Sequence, residues 1–281
     1  MARADYPLKR ASYSQLNTFM SCPHEFYLTY IDGQRSNGNK YTIAGSNLHE
    51  VFEAHSRAQK NDTELTRRDL MKMYNQGVRQ YDKKMFIDKE DFHKMYEKGV
   101  SALDNFLETY SNEAAPCFVE REFVADIGEG IPLMKSFVDR IDGDKDDPSS
   151  WIVTDYKTGS NPKSKKYLQD DLQLGLYVAQ IHSEFGAYPK AVQFYHPVID
   201  KFQTAIHQGE GVYRFTNQRA PVVEFSVSDI LVRTKGVVDD IIKAVETNNF
   251  PKNIRAFECK FCFKFQDGSC KPFEQTGWGA L

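Results

Sequence analysis

No apolar run in the 281 residues approaches the ~20 needed to span a bilayer, so no membrane-spanning helix is expected. An excess of either charge is also missing. Lys and Arg total 36 against 39 Asp and Glu, a formal net charge of −3. That excludes a generally basic nucleic-acid coat while leaving room for a local basic channel. Internal repeats and low-complexity stretches are absent, which sets aside collagen-like chains and disorder along the whole length. Cysteine is scarce and odd in number, five in all, a poor basis for a disulfide framework. There is no Walker A sequence, so no fused helicase is expected. The start, Met1-Ala2-Arg3-Ala4-Asp5-Tyr6-Pro7, lacks the apolar core of a signal peptide, and a cytoplasmic location away from membranes is expected.

What is present is an ordinary globular composition, 41% hydrophobic and 27% charged, enough for one large domain or one domain with a helical insertion. Ser12 or Ser14 can cap a first helix carrying Leu16, Phe19 and Met20, and a second short helix is predicted around Leu48, His49, Val51 and Phe52. From Thr63 to Tyr110 the spacing is helical. Phe92, Met95, Tyr96, Val100, Leu103, Phe106, Leu107 and Tyr110 fall at steps of three and four, the stripe of an amphipathic helix that needs no chemistry to explain it.

After Pro116 the period changes. Phe118–Val124, Leu133–Ile141 and Trp151–Tyr156 read as strands joined by Gly-containing turns. Leu168–Phe185 returns to helical spacing, and Ala191–Ile199 reads as a further strand. Strands, crossover helix and strand in that order predict an α/β core with a mixed sheet. A last helix, capped by Ser226, runs to Asn248-Asn249.

Two strands end in acids. Asp139 lies in Phe137-Val138-Asp139-Arg140-Ile141-Asp142, and Asp155 in Thr154-Asp155-Tyr156-Lys157. Residues two apart on a strand share a face, so Asp155 and Lys157 project together and Asp139 can meet them from a neighbouring strand. Two carboxylates beside an ammonium suit metal-dependent phosphodiester hydrolysis. The acids hold Mg²⁺ or Mn²⁺, and the lysine stabilises developing negative charge. Asp142, Asp144, Asp146 and Asp147 read as a polar turn. His49 can complete a metal site, although alone it reads as an ordinary hydrogen-bonded histidine. Gln173 and Tyr177, four apart, share a helix face. Lys163, Lys165 and Lys166 can neutralise phosphates or simply form an exposed loop. Cys259, Cys262 and Cys270 cluster at the far end. They suit soft-metal ligation with a fourth ligand from Cys22, Cys117 or His24, or else are free thiols around a turn.

Taken in order, Gly45-Ser46-Asn47-Leu48-His49, the Asp139 strand, Asp155-Tyr156-Lys157-Thr158-Gly159, Gln173-Leu174-Gly175-Leu176-Tyr177 and the cysteine cluster resemble the RecB-like branch of the PD-(D/E)XK nucleases. Cys22 with the three later cysteines resembles its iron–sulfur subgroup, which includes CRISPR-associated, AddB-type and phage exonucleases. The resemblance implies a restriction-endonuclease-like α/β fold, a mixed central sheet flanked by helices. It implies a single nuclease domain over 1–281, with a helical insertion at 60–112 and a C-terminal iron–sulfur segment at 251–281 closing onto Cys22. It assigns His49, Asp139, Asp155 and the Tyr156 carbonyl to the catalytic Mg²⁺ or Mn²⁺. Lys157 becomes the catalytic lysine, and Gln173 and Tyr177 position the DNA strand. Cys22, Cys259, Cys262 and Cys270 would hold a [4Fe–4S] cluster, with Zn²⁺ as the alternative, and Cys117 is left as a core cysteine.

The activity implied is a deoxyribonuclease, an exonuclease acting on single-stranded or frayed DNA ends, in recombination, repair or phage DNA processing and with a helicase or recombinase as partner. Two other readings stand beside it: a non-catalytic DNA-binding or assembly subunit, and a zinc-stabilised structure-specific endonuclease.

Overall fold

The computed structural model describes residues 5–34, 38–255, 259 and 262–271. The chain forms two compact units. The larger comprises Lys40–Ala125 and Ser136–Ile230, and the smaller Met1–Asn39, Asp126–Lys135 and Leu231–Leu281.

The larger unit is built on a seven-stranded sheet whose spatial order follows the chain: β1 (Phe118–Ala125), β2 (Met134–Asp142), β3 (Ile152–Tyr156), β4 (Ala191–His196), β5 (Lys201–Gly209), β6 (Val212–Phe215) and β7 (Glu224–Ser226). β3 and β4 are parallel, while the pairs from β4 through β7, and β2 with β3, are antiparallel. The sheet is therefore mixed, as the order of strands and crossover helix predicts. Every residue of β4 is buried, the expected state of a strand at a parallel junction covered on both faces.

Three helices precede the sheet: α3 (Lys40–Lys60), α4 (Arg67–Val78) and α5 (Lys89–Tyr110). Thr66 and Asp69 form a capping box on α4, and Asp88 caps α5, so polar side chains satisfy the free N–H groups of both helix starts. Leu48, Val51 and Phe52 of α3 pack with Leu70 and Tyr74 of α4, Leu103 and Phe106 of α5, and Tyr156 and Tyr195 of the sheet. Phe52 and Phe106 stack with centroids 4.2 Å apart. α4 and α5 approach so closely that a Cβ at Gly99 would fall 1.9 Å from the Tyr74 hydroxyl.

Some boundaries differ from the sequence reading. The short helix predicted around His49 is the middle of the 21-residue α3. The helix read over Leu168–Phe185 is two, α6 (Lys165–Asp170) and α7 (Gln173–Phe185), because Asp171 turns back to accept from the Gln173 N–H at 2.8 Å. The strand read to Ile199 stops at His196, where Pro197 opens a 3₁₀ turn. Asp142 is not part of a polar turn. It ends β2 and takes the Arg140 Nε–H at 2.8 Å. β5, β6 and β7 carry no assignment from spacing.

In the smaller unit, Ser12 caps α1 (Tyr13–Ser21) in a capping box with Gln15. Ala11 bridges residues 133–135, donating to the Leu133 carbonyl and accepting from the Lys135 N–H at 2.9 and 2.8 Å. α2 (Pro23–Phe26) continues into a wider π turn, Tyr27–Ile31, and Phe26 packs edge-on against Phe19. The chain later returns to this helix pair. Asn253 donates to the Ser21 carbonyl at 2.8 Å, and the Lys264 ammonium to the Gln34 carbonyl. α8 (Val227–Glu246) belongs to both units by sequence and is capped by Ser226, as predicted. Of the expected cysteine segment, residues 256–258, 260, 261 and 272–281 lie outside the described residues. Among the described residues, no helix is long and apolar enough to cross a membrane.

Candidate active site and cysteine cavity

The β2–β3 ladder runs from Asp142↔Ile152 to Arg140↔Thr154. One step further, Asp139 and Asp155 face each other from adjacent strands, and opposed residues of an antiparallel pair share a face. Here the ladder gives way to side chains. The Tyr156 N–H is taken by Asp139 Oδ2 at 2.6 Å. β3 instead continues its parallel pairing, with the Lys157 N–H donating to the Tyr195 carbonyl at 2.8 Å.

α3 lays His49 across this point. Nδ1 stands 3.2 Å from Asp139 Oδ1 and Nε2 3.1 Å from the Tyr156 carbonyl. Both partners are acceptors, so both ring nitrogens donate and the ring is an imidazolium. Burial opposes that charge, but the Asp139 carboxylate outweighs it and lifts the histidine to about 9. Asp139, which burial alone would raise, is held below the usual carboxylate range by His49 and the Tyr156 N–H. α3 comes this near the lysine loop because residue 45 is glycine. A Cβ there would sit 2.9 Å from Thr158 Oγ1.

A third acid joins them that the sequence reading missed. Ligand atoms of His49, Glu120 and Asp139 lie within 4.8 Å of one another, the one such group among the described residues. Glu120 sits on β1 with φ +48, a left-handed conformation costly for a residue with a Cβ and concentrated at functional sites. Burial, then the neighbouring Asp139 charge, lifts its carboxyl to about 7. Period-two alternation cannot reveal such a residue. The available signal was a charged triplet, Glu120-Arg121-Glu122, inside an otherwise apolar strand.

Asp155 looks the other way. Its Oδ2 is 2.7 Å from the Lys157 ammonium, and its Oδ1 accepts from Gln173 Nε2 at 2.6 Å and the Tyr177 hydroxyl at 2.9 Å. Gln173 Oε1 takes the same ammonium at 2.7 Å. Burial pushes the Asp155 carboxyl up. Gln173 and Tyr177 are themselves buried, so their polar atoms orient the acid and the lysine. Of the three loop lysines, Lys163 is fixed through its peptide by Gln203, which accepts from its N–H at 2.8 Å and donates to its carbonyl at 2.9 Å. The Lys165 ammonium donates to the carbonyls of Arg219 and Pro221, and Lys166 is exposed.

The donor set is carboxylates and a main-chain carbonyl, hard oxygen ligands that fit Mg²⁺ or Mn²⁺, with one imidazole as a borderline nitrogen donor. In the smaller unit, Cys22, Cys259, Cys262 and Cys270 line one cavity of about 160 Å³, with Glu25 and Lys264 on its wall. Burial pushes the Cys262 thiol up to about 11 and raises Cys270. No three of these thiols lie within 4.8 Å of one another. Cys117 stands apart, its Sγ 3.2 Å from the Ile141 carbonyl.

A mixed sheet that brings two strand-end acids, a lysine and a helix-borne histidine together defines a class of phosphodiesterase. The sequence matches the family described as the PD-(D/E)XK nuclease superfamily over residues 10–263, and the chain belongs to that superfamily. No curated protein matches it. Among solved structures, one described as "Crystal structure of SSO0001" is similar at 14% identity and a TM-score of 0.33, over 92% of this chain and 94% of that one.

Proposed function

We propose that this chain is a divalent-metal-dependent deoxyribonuclease of the RecB-like, iron–sulfur branch, an exonuclease acting on single-stranded or frayed DNA ends. The observation that carries the reading is the convergence of His49, Glu120 and Asp139 within 4.8 Å, beside a lysine held 2.7 Å from Asp155.

His49, Asp139, Glu120 and the Tyr156 carbonyl would hold the cation, with Asp155 as the further acid. When bound, the cation polarises a phosphate oxygen and acidifies water. The His49 ring lies against the same acceptors, Asp139 Oδ1 and the Tyr156 carbonyl, and as a ligand it would have to be neutral, so it would shed one proton. Lys157 keeps its ammonium beside Asp155 and offers positive charge to the phosphate as negative charge develops. Gln173 and Tyr177 hold that pair in place, so the lysine needs no reorientation when substrate arrives.

The four thiols that line one cavity are the donor set of a [4Fe–4S] cluster, with Zn²⁺ as the alternative. Cysteines at both ends of the sequence then tie residues 251–281 to Cys22 around one domain of 1–281, with 60–112 as its helical insertion.

The test is an anaerobic preparation incubated with end-labelled single- and double-stranded DNA in Mg²⁺, Mn²⁺ or EDTA, beside Lys157→Ala. Metal-dependent shortening from the ends, lost in the variant, is expected. Binding without cleavage, identical in the variant, would leave a DNA-binding or assembly subunit. Visible absorbance of the same preparation separates iron–sulfur from colourless zinc.

A further inference from the structure

A second cavity opens in the larger unit, about 400 Å³ in volume, between α3, α5 and the loop that follows Lys157. Leu48 and Thr158 form part of its wall, the chain neighbours of His49 and Lys157, so the cavity adjoins the metal-ligand cluster. Its volume lies in the ~300–1,000 Å³ range of small-ligand sites, large enough for a nucleotide and far too small for a duplex.

Beside the apolar Ala44, Leu48, Met95 and Val198, the wall has three kinds of surface. α5 contributes Lys94 and Lys98, both exposed. Lys94 has a neighbour in Glu90 at 2.6 Å, but that pair is exposed, hence screened and weak. The acid of the wall, Asp91, is already neutralised by the Lys40 ammonium, at 2.7 Å from Oδ1 and 2.5 Å from Oδ2. The wall therefore presents net positive charge. Tyr41, 55% exposed, offers an aromatic face at the mouth, with the Lys40 ammonium 5.2 Å from its ring centroid. The loop side is polar, with Thr158, Gly159 and Asn161, and nothing occupies the space a Cβ would take at Gly159.

We infer that this cavity is the seat of the unpaired nucleotide next to the scissile phosphate. Its base stacks on Tyr41, and its flanking phosphates are met by Lys94 and Lys98. Cationic walls with an exposed aromatic platform are how single strands are held without base readout. The inference takes the identity of the ligand from the nuclease reading. It moves the strand path from the Lys163–Lys166 loop, where Lys165 is spent on two carbonyls, to the α3–α5 side. Selectivity for unpaired DNA then follows, since a paired base cannot enter.

The test uses the full-length, anaerobically purified protein. Anisotropy of a labelled oligothymidylate and of a hairpin-capped duplex is measured in EDTA, where no cutting occurs. The wild type is compared with Tyr41→Ala, with Lys94→Ala/Lys98→Ala, and with Lys145→Ala as an exposed lysine outside the cavity. Single-strand affinity is expected to fall roughly tenfold in Tyr41→Ala. In the double variant the salt slope should become shallower by about 1.4, with duplex binding and the Lys145 variant unmoved. With Mn²⁺ added, KM is expected to rise and kcat to hold. No single-strand binding by the wild type, unchanged binding in the cavity variants, or an equal loss on duplex would overturn the inference. Cleavage is read separately. A wild type that cuts DNA while the cavity variants bind and cut as it does sinks the cavity and spares the nuclease. A wild type that never cuts but loses single-strand binding in the variants does the reverse.

Discussion

Gln173 spans the Asp155–Lys157 ion pair from both ends of one amide, its Oε1 2.7 Å from Lys157 Nζ and its Nε2 2.6 Å from Asp155 Oδ1. The amide can serve a cation and an anion at once because it carries an acceptor and a donor. Gln173→Leu keeps the volume and removes both contacts. In a single-turnover assay, kcat should fall by roughly 10–100-fold, the usual loss when a group that orients a ligand is removed. Single-strand affinity should stay the same. A variant that loses affinity and keeps its turnover rate would instead make Gln173 a DNA contact.

Metal affinity should carry the signature of two protons. Without metal, His49 holds one up to about 9 and Glu120 another up to about 7, and both must leave for these groups to ligate. Mn²⁺ affinity is therefore expected to rise about fiftyfold from pH 6 to 7, then about tenfold per unit up to 9. Calorimetry in buffers of different ionisation enthalpy counts the protons directly. Glu120→Gln should leave one proton throughout; if it still releases two, Glu120 is not a ligand.

His55 predicts a separate effect of pH on stability. It is 5% exposed, and burial followed by the nearby Arg140 charge lowers it to about 4. A histidine depressed in the folded state contributes fully above its unfolded value of ~6.5 and loses that contribution as pH falls toward 4. The loss reaches ~3 kcal/mol. Urea unfolding at pH 7, 5.5 and 4.5 should show a steeper decline in the wild type than in His55→Leu. Parallel declines would mean that carboxylates alone set the acid limit.

Arg140 is fully buried. Its guanidinium bonds to Asp142 at 2.7–2.9 Å, to Ser56 and Gln59 at 3.3 and 3.2 Å, and to the Ala114 carbonyl at 3.2 Å. The Tyr110 ring centroid lies 4.2 Å away. Removing one partner of a buried pair strands the other charge, at a cost of about 3–5 kcal/mol. Asp142→Ala should lower unfolding stability by that order, and Arg140→Met/Asp142→Ala by clearly less than the sum of the single changes. Additive effects would show that the pair is not coupled.

The parts of this site that sequence displays are those on regular elements. Asp139, Asp155 and Lys157 were legible because strand alternation sets their expected faces, and the Lys157 ammonium does stand 2.7 Å from the Asp155 carboxylate. Glu120 was hidden because φ +48 suspends that alternation at the residue that matters. The break between α6 and α7 was hidden because one side-chain bond from Asp171 outweighs continuous helical spacing. β5 escaped because Phe202 and Ile206 on it are exposed, so its pattern does not separate a core face from a solvent face.

The opposition of Asp139 and Asp155 across β2 and β3 has a bearing on the life of the chain. A slip of one residue in that pairing sends one acid to the far face of the sheet. His49 arrives only when α3 docks, and Glu120 only when β1 joins. The candidate site is thus a product of the whole topology: helix α3, strand β1 and the β2–β3 register must all be in place before His49, Glu120 and Asp139 come within 4.8 Å of one another.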